Sequence, residues 1–423
     1  MSYRKRIIEK DIRLGLEAAG ALWIRGPKSC GKTETAKQFA KSVLKVDTDP
    51  TVSAKMAFDP SELLVGDTPR LLDEWQVQPT LWNYVRHEVD DRRDKGQFIL
   101  TGSATPDDDG RRHSGTGRFI VYEMRTMSWQ EMGYSNGAVS LENLFKNEPV
   151  GVKTVEVSYE ELVDRILKGG WPENLDISLE AAMAVNHGYF DLLTETDISR
   201  VSKMERDPAK VKALMKSLAR NISTPVSMST LSRDVQGESA TFTRQTADDY
   251  IESLEKMMII VNQPAYNAHI RSTAELRQAP KRHFCDVSLA VEALNLSHES
   301  LMNDPNYLGF LFESQAIHDL MVYADAIGAK VSYYRDSNGN EVDAIVETRS
   351  GEVALFEVKL GNDEYDLAAE NLKKVAKLIT KPVKSLNIIS GPGLTYYRPD
   401  GVNVISLASL GGLPNKEVNN HAG

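Results

Sequence analysis

The chain has 423 residues, of which 41% are hydrophobic and 26% are charged, and its formal net charge is −10. This length predicts two to four domains, and the composition is typical of a soluble globular protein. The acidic balance argues against a general polyanion binder, although it is compatible with a local basic patch. No apolar run approaches the roughly 18 residues of a membrane span, so no membrane partner is expected.

The amino terminus and the cysteines indicate where the protein resides. Residues 1–6 are basic, but charged residues interrupt the stretch that follows, which excludes a secretory signal. Residues 3–19 instead predict an amphipathic helix. Two cysteines are present, Cys30 and Cys285, and they indicate no disulfide framework. We therefore expect a cytoplasmic protein.

A glycine-rich stretch reads G-x-x-x-x-G-K-T without a mismatch. Its residues are Gly26, Pro27, Lys28, Ser29, Cys30, Gly31, Lys32 and Thr33. An apolar run precedes it and a stretch of helical composition follows, which is the strand–loop–helix setting that this motif requires. The backbone of such a loop cradles phosphates, Lys32 would reach the β- and γ-phosphates, and the Thr33 hydroxyl would ligate Mg²⁺. The alternative is a glycine turn with a surface lysine.

The next two apolar runs end in polar residues. Residues 70–75 contain Asp73, which would hold Mg²⁺, and Glu74, which would polarise the attacking water. Residues 98–103 contain Thr101 and Ser103, either of which could sense the γ-phosphate at the carboxyl edge of a sheet. The structural alternatives are a solvated acid pair and plain capping of the next segment.

Arg118 stands just before the next predicted strand, residues 119–122. An arginine near the γ-phosphate supplies charge to the transition state, from the same chain or from a neighbouring one, and Arg118 is the best placed to do so. The alternative is a surface arginine. The stretch 107–110 further upstream predicts a flexible loop.

Several of these motifs together resemble one large group of bacterial and archaeal AAA-type P-loop ATPases, in which a C-terminal domain of unknown function follows the ATPase core. The motifs are GPKSCGKT, RLLDEWQ, FILTGSA, GTGRF and GGWPE. The resemblance covers nearly the whole chain and implies an AAA-like parallel sheet that uses ATP. One departure is Lys28, where the group commonly has arginine; the charge is kept, but a bidentate contact would be lost.

The middle of the chain predicts helices without a catalytic motif. Residues 141–204 indicate a helical connector, and residues 205–295 look like a winged-helix module of three helices and a strand. DNA binding would place the third helix in the major groove, but this helix carries acids that phosphates would repel: Asp248, Asp249, Glu252 and Glu255. Basic residues at the predicted wing favour DNA: Arg271, Arg277, Lys281 and Arg282. The alternative is a packing module.

A second candidate site lies in residues 296–423. Glu313 is on a predicted helix, Asp343 is on a strand, and Glu357 and Lys359 share one face of the next strand because strand side chains alternate. An apolar strand that ends in two charges on one face is unusual unless something binds them.

The same order of residues resembles the PD-(D/E)XK nuclease fold, a small α/β restriction-endonuclease-like domain. The resemblance implies that Asp343 and Glu357 ligate Mg²⁺, that Glu313 adds a carboxylate, and that Lys359 positions or activates the water. The alternative is a salt-bridge network in a fold used as a scaffold.

The sequence thus predicts an α/β protein with a P-loop ATPase domain (1–140), a connector (141–204), a winged-helix-like module (205–295) and a nuclease-like domain (296–423). One hypothesis is that ATP hydrolysis gates a metal-dependent nuclease that acts on DNA. The other is a nucleotide-dependent switch whose C-terminal modules bind a partner protein, or a second copy of the chain, without cleavage. Both include ATP and Mg²⁺.

Overall fold

The computed structural model of the chain describes residues 3–103, 114–146, 150–199, 206–237, 242–266 and 278–412. Their contacts divide the chain into two compact units. The first contains residues 1–126 with Lys256–Met258, and the second contains 127–255 and 259–423. The connector, the helical module and the C-terminal region therefore lie together in the second unit.

The first unit is built on a five-stranded parallel sheet in the order β2-β3-β4-β1-β5. Its strands are β1 (Ala21–Arg25), β2 (Ser42–Lys45), β3 (Arg70–Asp73), β4 (Phe98–Gly102) and β5 (Phe119–Glu123). Its described α-helices are Glu9–Ala18, Lys32–Lys37, Val52–Phe58 and Leu81–Arg92, with 3₁₀ turns at Pro60–Leu64 and Trp75–Val77. The predicted parallel sheet is confirmed.

Side chains of this sheet alternate between two apolar clusters. In β1, Trp23 packs into a cluster that also holds Trp75 and Trp82, whereas Leu22 and Ile24 pack into the other. Both faces are thus buried, which explains why these strands have continuous apolar runs rather than an alternation of polar and apolar residues. Burial on both faces leaves the strand ends as the places where polar side chains gather.

The second unit contains a seven-stranded sheet in the order β10-β11-β12-β13-β15-β14-β7. Its strands are β10 (Lys330–Arg335), β11 (Glu341–Glu347), β12 (Val353–Lys359), β13 (Val383–Ser390), β15 (Asn403–Ser406), β14 (Gly393–Tyr397) and β7 (Lys153–Val155). The strands β10, β11 and β12 are antiparallel, and β12, β13 and β15 are parallel. The edge strand β7 comes from the predicted connector, so the connector completes the C-terminal sheet.

Two short pairs complete the strands of this unit: β6 (Val139–Ser140) with β16 (Leu410–Gly411), and β8 (Ile260–Gln263) with β9 (Lys281–Phe284). Its described α-helices are Trp129–Met132, Leu141–Leu144, Tyr159–Lys168, Leu179–Leu192, Pro208–Arg220, Met228–Gln236, Arg244–Lys256, Ser288–Leu294, His298–Met302, Pro305–Asp325 and Tyr365–Ala376. A π-helical turn spans Leu193–Asp197, and 3₁₀ turns span Pro172–Asn174, Asn362–Glu364 and Leu407–Ser409. None of the helices in the described ranges has the length and apolar character to cross a bilayer.

The helix Pro305–Asp325, called the long helix below, packs on β10, β11 and β12. Most of its residues from Leu308 to Ala324 are buried, and the buried ones include the polar residues Ser314, Gln315 and Asp319. The helix Tyr365–Ala376 packs on the sheet through Tyr365, Ala369 and Leu372, which share a core with side chains of β11, β12 and β13. These helices carry the groups that surround the second candidate site.

Candidate nucleotide site and carboxylate cluster

The glycine-rich loop connects β1 to the helix Lys32–Lys37 in the predicted order. Gly31 has φ 100°, a left-handed conformation that glycine adopts without steric cost. Gly26 is required for a different reason, since a Cβ built on it would lie 2.2 Å from the carbonyl oxygen of Met124. Pro27 and Cys30 are buried, whereas Lys28 and Ser29 are exposed.

Lys32 folds back over this loop. Its Nζ donates hydrogen bonds to the carbonyl oxygens of Gly26, at 3.0 Å, and Pro27, at 2.7 Å, and the residue is only 5% exposed. An ammonium group in this position satisfies backbone acceptors until a stronger acceptor such as a phosphate oxygen arrives.

Asp73, at the end of β3, contacts polar side chains from the end of β4 and from the residue that follows Lys32. Its Oδ1 accepts hydrogen bonds from the hydroxyls of Thr33, at 2.7 Å, and Thr101, at 2.6 Å. These three residues lie near each other because β1, β3 and β4 are parallel neighbours whose carboxyl ends meet at one edge of the sheet. Thr101 therefore lies in the site through its bond to Asp73, and Ser103 is buried two residues further on.

Glu74 follows Asp73 in a left-handed backbone conformation, with φ 55° and ψ 41°. A residue other than glycine in this region is strained, and such strain is concentrated at functional sites. The carboxylate of Glu74 accepts a hydrogen bond from the Gln76 side chain. The backbone therefore changes direction at Glu74, between β3 and the 3₁₀ turn Trp75–Val77.

Arg118 lies at the opposite edge of the same sheet. It precedes β5, whose first residue pairs with Ala21 at the start of β1, whereas the loop follows the end of β1, roughly 15 Å away. Its guanidinium binds both carboxylate oxygens of Asp90, at 2.9 and 3.2 Å, and this lowers the pKa of Asp90. In its own chain Arg118 is thus distant from the loop, and a role at the site of a neighbouring chain stays a prediction. The predicted loop 107–110 lies outside the described residues.

Arg6 contacts the phosphate loop, and the sequence alone did not indicate this contact. It is buried, and its guanidinium donates to the carbonyl oxygens of Cys30, at 2.7 Å, and Arg125, at 2.8 Å. A basic amino terminus predicts only surface charge, and no local pattern distinguishes Arg6 from Arg4 or Lys5.

The predicted C-terminal residues do come together, but around a lysine from another element. Lys281 on β9 places its Nζ 3.0 Å from Glu313 Oε1, 3.0 Å from Glu341 Oε1 and 3.4 Å from Asp343 Oδ1. It is 2% exposed. We call Glu313, Glu341, Asp343 and Glu357 the carboxylate cluster.

The motif lysine, Lys359, lies 3.2 Å from Glu357 Oε2, while Asn371 donates to the other oxygen of that carboxylate at 2.7 Å. Asp343 also accepts a hydrogen bond from the backbone N–H of Val358 at 2.9 Å. The donors around the cluster therefore come from β9, from β12 and from the helix Tyr365–Ala376.

Burial and like charge control protonation within the cluster. Burial and the charge of Asp343 raise the pKa of both Glu313 and Glu357 to about 8. Burial acts in the same direction on Asp343, but the ammonium groups of Lys281 and Lys359 outweigh it and lower the pKa of Asp343. Burial disfavours the charge of Lys281, and the surrounding carboxylates outweigh this and raise its pKa. The raised pKa values favour the protonated forms of Glu313 and Glu357 near neutral pH, and the two lysines compensate the charge of Asp343.

The cluster does not fit a divalent metal as it stands. Within the described ranges, no group of three or more His, Cys, Asp or Glu side chains is placed to hold a metal ion. The predicted ligands Asp343 and Glu357 each already have an ammonium group as a neighbour. Metal ligation by Asp343 and Glu357 stays a prediction, and in this structure Lys281 supplies a positive charge among these carboxylates.

The basic wing prediction is wrong for two of its four residues. Lys281 is buried in the carboxylate cluster, and Arg282 is 8% exposed and donates to the Val226 carbonyl oxygen at 2.9 Å. Neither is available to bind a phosphate backbone. Arg271 and Arg277 lie outside the described residues. Three helices precede the paired strands β8 and β9 in this region, and side chains of β9 contact the long helix. The winged-helix fold itself stays a prediction.

The paired strands β8 and β9 contact the rest of the unit through polar side chains. Gln263 donates to the Asp343 carbonyl oxygen at 2.8 Å, and the His283 ring lies between Ser314 Oγ, at 3.0 Å, and Gln263 Oε1, at 3.1 Å. Complete burial lowers the pKa of His283 to about 3, so the ring is neutral at physiological pH.

Three family models match successive parts of the chain. Residues 18–133 match the AAA domain family, 159–300 match a domain of unknown function (DUF8612), and 308–410 match another (DUF4143). Together with the parallel sheet and the loop geometry, the first match identifies the amino-terminal region as a P-loop ATPase fold and supports ATP binding.

The curated relatives include the uncharacterized proteins Rv2008c of Mycobacterium tuberculosis and Mb2031c of Mycobacterium bovis. Each is 24% identical over 365 residues, which is 85% of this chain and 74% of the relative. Among solved structures, the Walker-type ATPase paby2304 of Pyrococcus abyssi is 13% identical with a TM-score of 0.41, over 68% of this chain and 94% of that one. A STAND protein with a tetratricopeptide repeat sensor, PH0952 from Pyrococcus horikoshii, is 12% identical with a TM-score of 0.21. The match covers 77% of this chain and 47% of that one.

Proposed function

We propose that the first unit binds ATP and hydrolyses it with Mg²⁺. The observation that carries this proposal is the convergence of Thr33 and Thr101 on Asp73 Oδ1, beside a lysine that is held over the phosphate loop. A hydroxyl and a carboxylate are hard oxygen donors, which suit Mg²⁺. The residues present therefore fit this metal at the nucleotide site.

Each residue of the nucleotide site has a separate task in this proposal. Lys32 leaves the carbonyls of Gly26 and Pro27 and donates to the β- and γ-phosphates. Asp73 and Thr33 hold the metal, which neutralises charge on the phosphates when it is bound. Glu74, in its strained conformation, orients the attacking water as a general base.

Replacement of Asp73 by Asn tests the metal part of the proposal. Because Asn keeps the size but loses the charge, Mg²⁺-dependent ATP turnover should fall about 100-fold, which is about 2.7 kcal/mol of transition-state free energy. Phosphate release would be measured over a titration of Mg²⁺, with the exposed Asp94→Asn as the matched control. Turnover in Asp73→Asn equal to that of the control would contradict the assignment.

For the second unit, we propose a scaffold or switch role in which the carboxylate cluster is a structural centre. The favouring observation is the Lys281 ammonium within 3.4 Å of three carboxylates. The competing hypothesis is an ATP-gated nuclease, whose metal ligands would be Asp343 and Glu357. That hypothesis requires Lys281 to leave the cluster.

A cleavage assay separates the two roles of the second unit. The full chain would be incubated with linear, branched and single-stranded DNA and with RNA, with Mg²⁺ or Mn²⁺, and with or without ATP. We expect no cleavage above that of a Lys359→Ala preparation purified in parallel. Cleavage by the parent chain that is lost in Lys359→Ala would establish the nuclease and overturn the scaffold role.

A further inference from the structure

We infer that residues 124–130, called the strap here, couple nucleotide binding to the long helix. The strap is the stretch of chain that leaves the first unit after β5 and enters the second. This inference rests on the proposed ATP binding and adds a route by which the bound nucleotide would be sensed elsewhere in the chain.

The first end of the strap lies directly against the phosphate loop. The backbone N–H of Met124 donates to the carbonyl oxygen of Arg25 at 2.8 Å, immediately before the loop begins. The Met124 carbonyl oxygen is 3.6 Å from Cys30 Sγ and occupies the space that a Cβ on Gly26 would need. The loop and strap backbones are therefore in direct contact, without a side chain between them.

Arg6 ties the same two backbones together. Its two terminal nitrogens donate to the carbonyl oxygens of Cys30 in the loop and Arg125 in the strap. The backbone N–H of Arg6 in turn donates to Glu9 Oε1 at 2.9 Å. A planar guanidinium with several fixed donors holds two acceptors at a set separation, which a lysine cannot do.

The second end of the strap is fastened to the long helix. The Trp129 backbone N–H donates to Asp319 Oδ2 at 3.0 Å, and that of Gln130 donates to the Tyr323 hydroxyl at 3.3 Å. Asp319 is fully buried, and it also accepts from Gln315 at 2.9 Å. Both acceptors are on the long helix, which also carries Glu313 of the carboxylate cluster.

These contacts make the strap a two-ended connection. When Lys32 turns from the loop carbonyls to a phosphate, the hydrogen bonds of the loop are redistributed, and the ligand favours the loop conformation to which it binds best. Because backbone bonds hold both ends of the strap, a displacement at Met124 is carried to Trp129 and from there to the long helix. Arg6 and Asp319 are positioning residues in this route.

Hydrogen–deuterium exchange of the full chain tests the coupling. Saturating AMP-PNP with Mg²⁺ should change the exchange rate of amides in 305–325 by about threefold or more. In Arg6→Lys, and independently in Asp319→Asn, this response should be lost, although binding of the nucleotide is verified by titration in each variant. Either variant suffices if the other fails to fold.

Arg13→Lys is the matched control, because Arg13 also interacts with Glu9, at 3.5 Å, but is half-exposed. It should retain the full response. A parent chain that binds no nucleotide would overturn the proposed function and the coupling with it. A parent chain that binds nucleotide without any response in 305–325, or variants that respond as Arg13→Lys does, would overturn the coupling alone.

Discussion

Lys32→Ala is expected to lower ATP turnover about 1,000-fold, which corresponds to about 4 kcal/mol. The ammonium is buried and already directed at the loop by the carbonyls of Gly26 and Pro27, so little reorganisation is needed for it to meet a phosphate. Preorganised charge in a site with little water is worth more than the same charge in solution. Alanine removes that charge and leaves the loop carbonyls without their donor.

Lys41→Ala is the matched control for this substitution, since Lys41 is an exposed lysine of the same unit that lies outside the loop. Turnover would be followed by phosphate release and affinity by titration with a fluorescent ATP analogue. We expect Lys41→Ala to remain within about threefold of the parent chain, because exposed charges interact weakly. A Lys32→Ala chain that bound and hydrolysed ATP as Lys41→Ala does would show that the loop is not the nucleotide site.

Lys281→Met is expected to lower the free energy of unfolding of the second unit by about 3–5 kcal/mol. Methionine has an unbranched side chain one atom shorter than that of lysine, and it removes the charge that faces Glu313, Glu341 and Asp343. Removing one partner of a buried ion pair leaves the other charges uncompensated, and this costs more than the pair itself contributes. The measurement is the urea-unfolding midpoint and slope, followed by far-UV circular dichroism.

Lys381→Met is the control in the same unit. Lys381 contacts one carboxylate, Glu347, and both side chains are partly exposed, so we expect a loss below about 1 kcal/mol. Adding Asp343→Asn to Lys281→Met should restore part of the lost stability, because Asp343 has a lowered pKa and is the ionised group left without its counter-charge. Equal losses for Lys281→Met and Lys381→Met would mean that Lys281 is not the counter-charge of the cluster.

The carboxylate cluster shows the limit of motif-based prediction for this chain. Glu313, Asp343, Glu357 and Lys359 come together as their order on a helix and two strands indicates, and this same order suggests a metal site. The charge balance of that site depends on Lys281, which is 32 residues from Glu313 and 62 from Asp343. No feature of the short segment KRHF indicates whether its lysine is buried beside carboxylates or exposed on a wing.

The sequence by itself determined the elements whose signals are local. The phosphate loop, the strand before it, the helix after it and the polar ends of β3 and β4 follow from runs of neighbouring residues. Because parallel strands end at one edge, the meeting of Thr33, Asp73 and Thr101 also follows once those strands lie in one sheet. The apolar runs were informative because both faces of this sheet are buried.

Only the tertiary structure decided the contacts that join distant parts of the chain. Arg6 and Arg125 are 119 residues apart, and Trp129 and Asp319 are 190 residues apart. The same holds for β7, a connector strand that pairs with β14, and for Arg118, whose edge of the sheet depends on the register of β5 with β1. Such contacts depend on which surfaces the folded chain buries together, and a charged or polar side chain carries the same local signal whether it lies in solvent or against a buried partner.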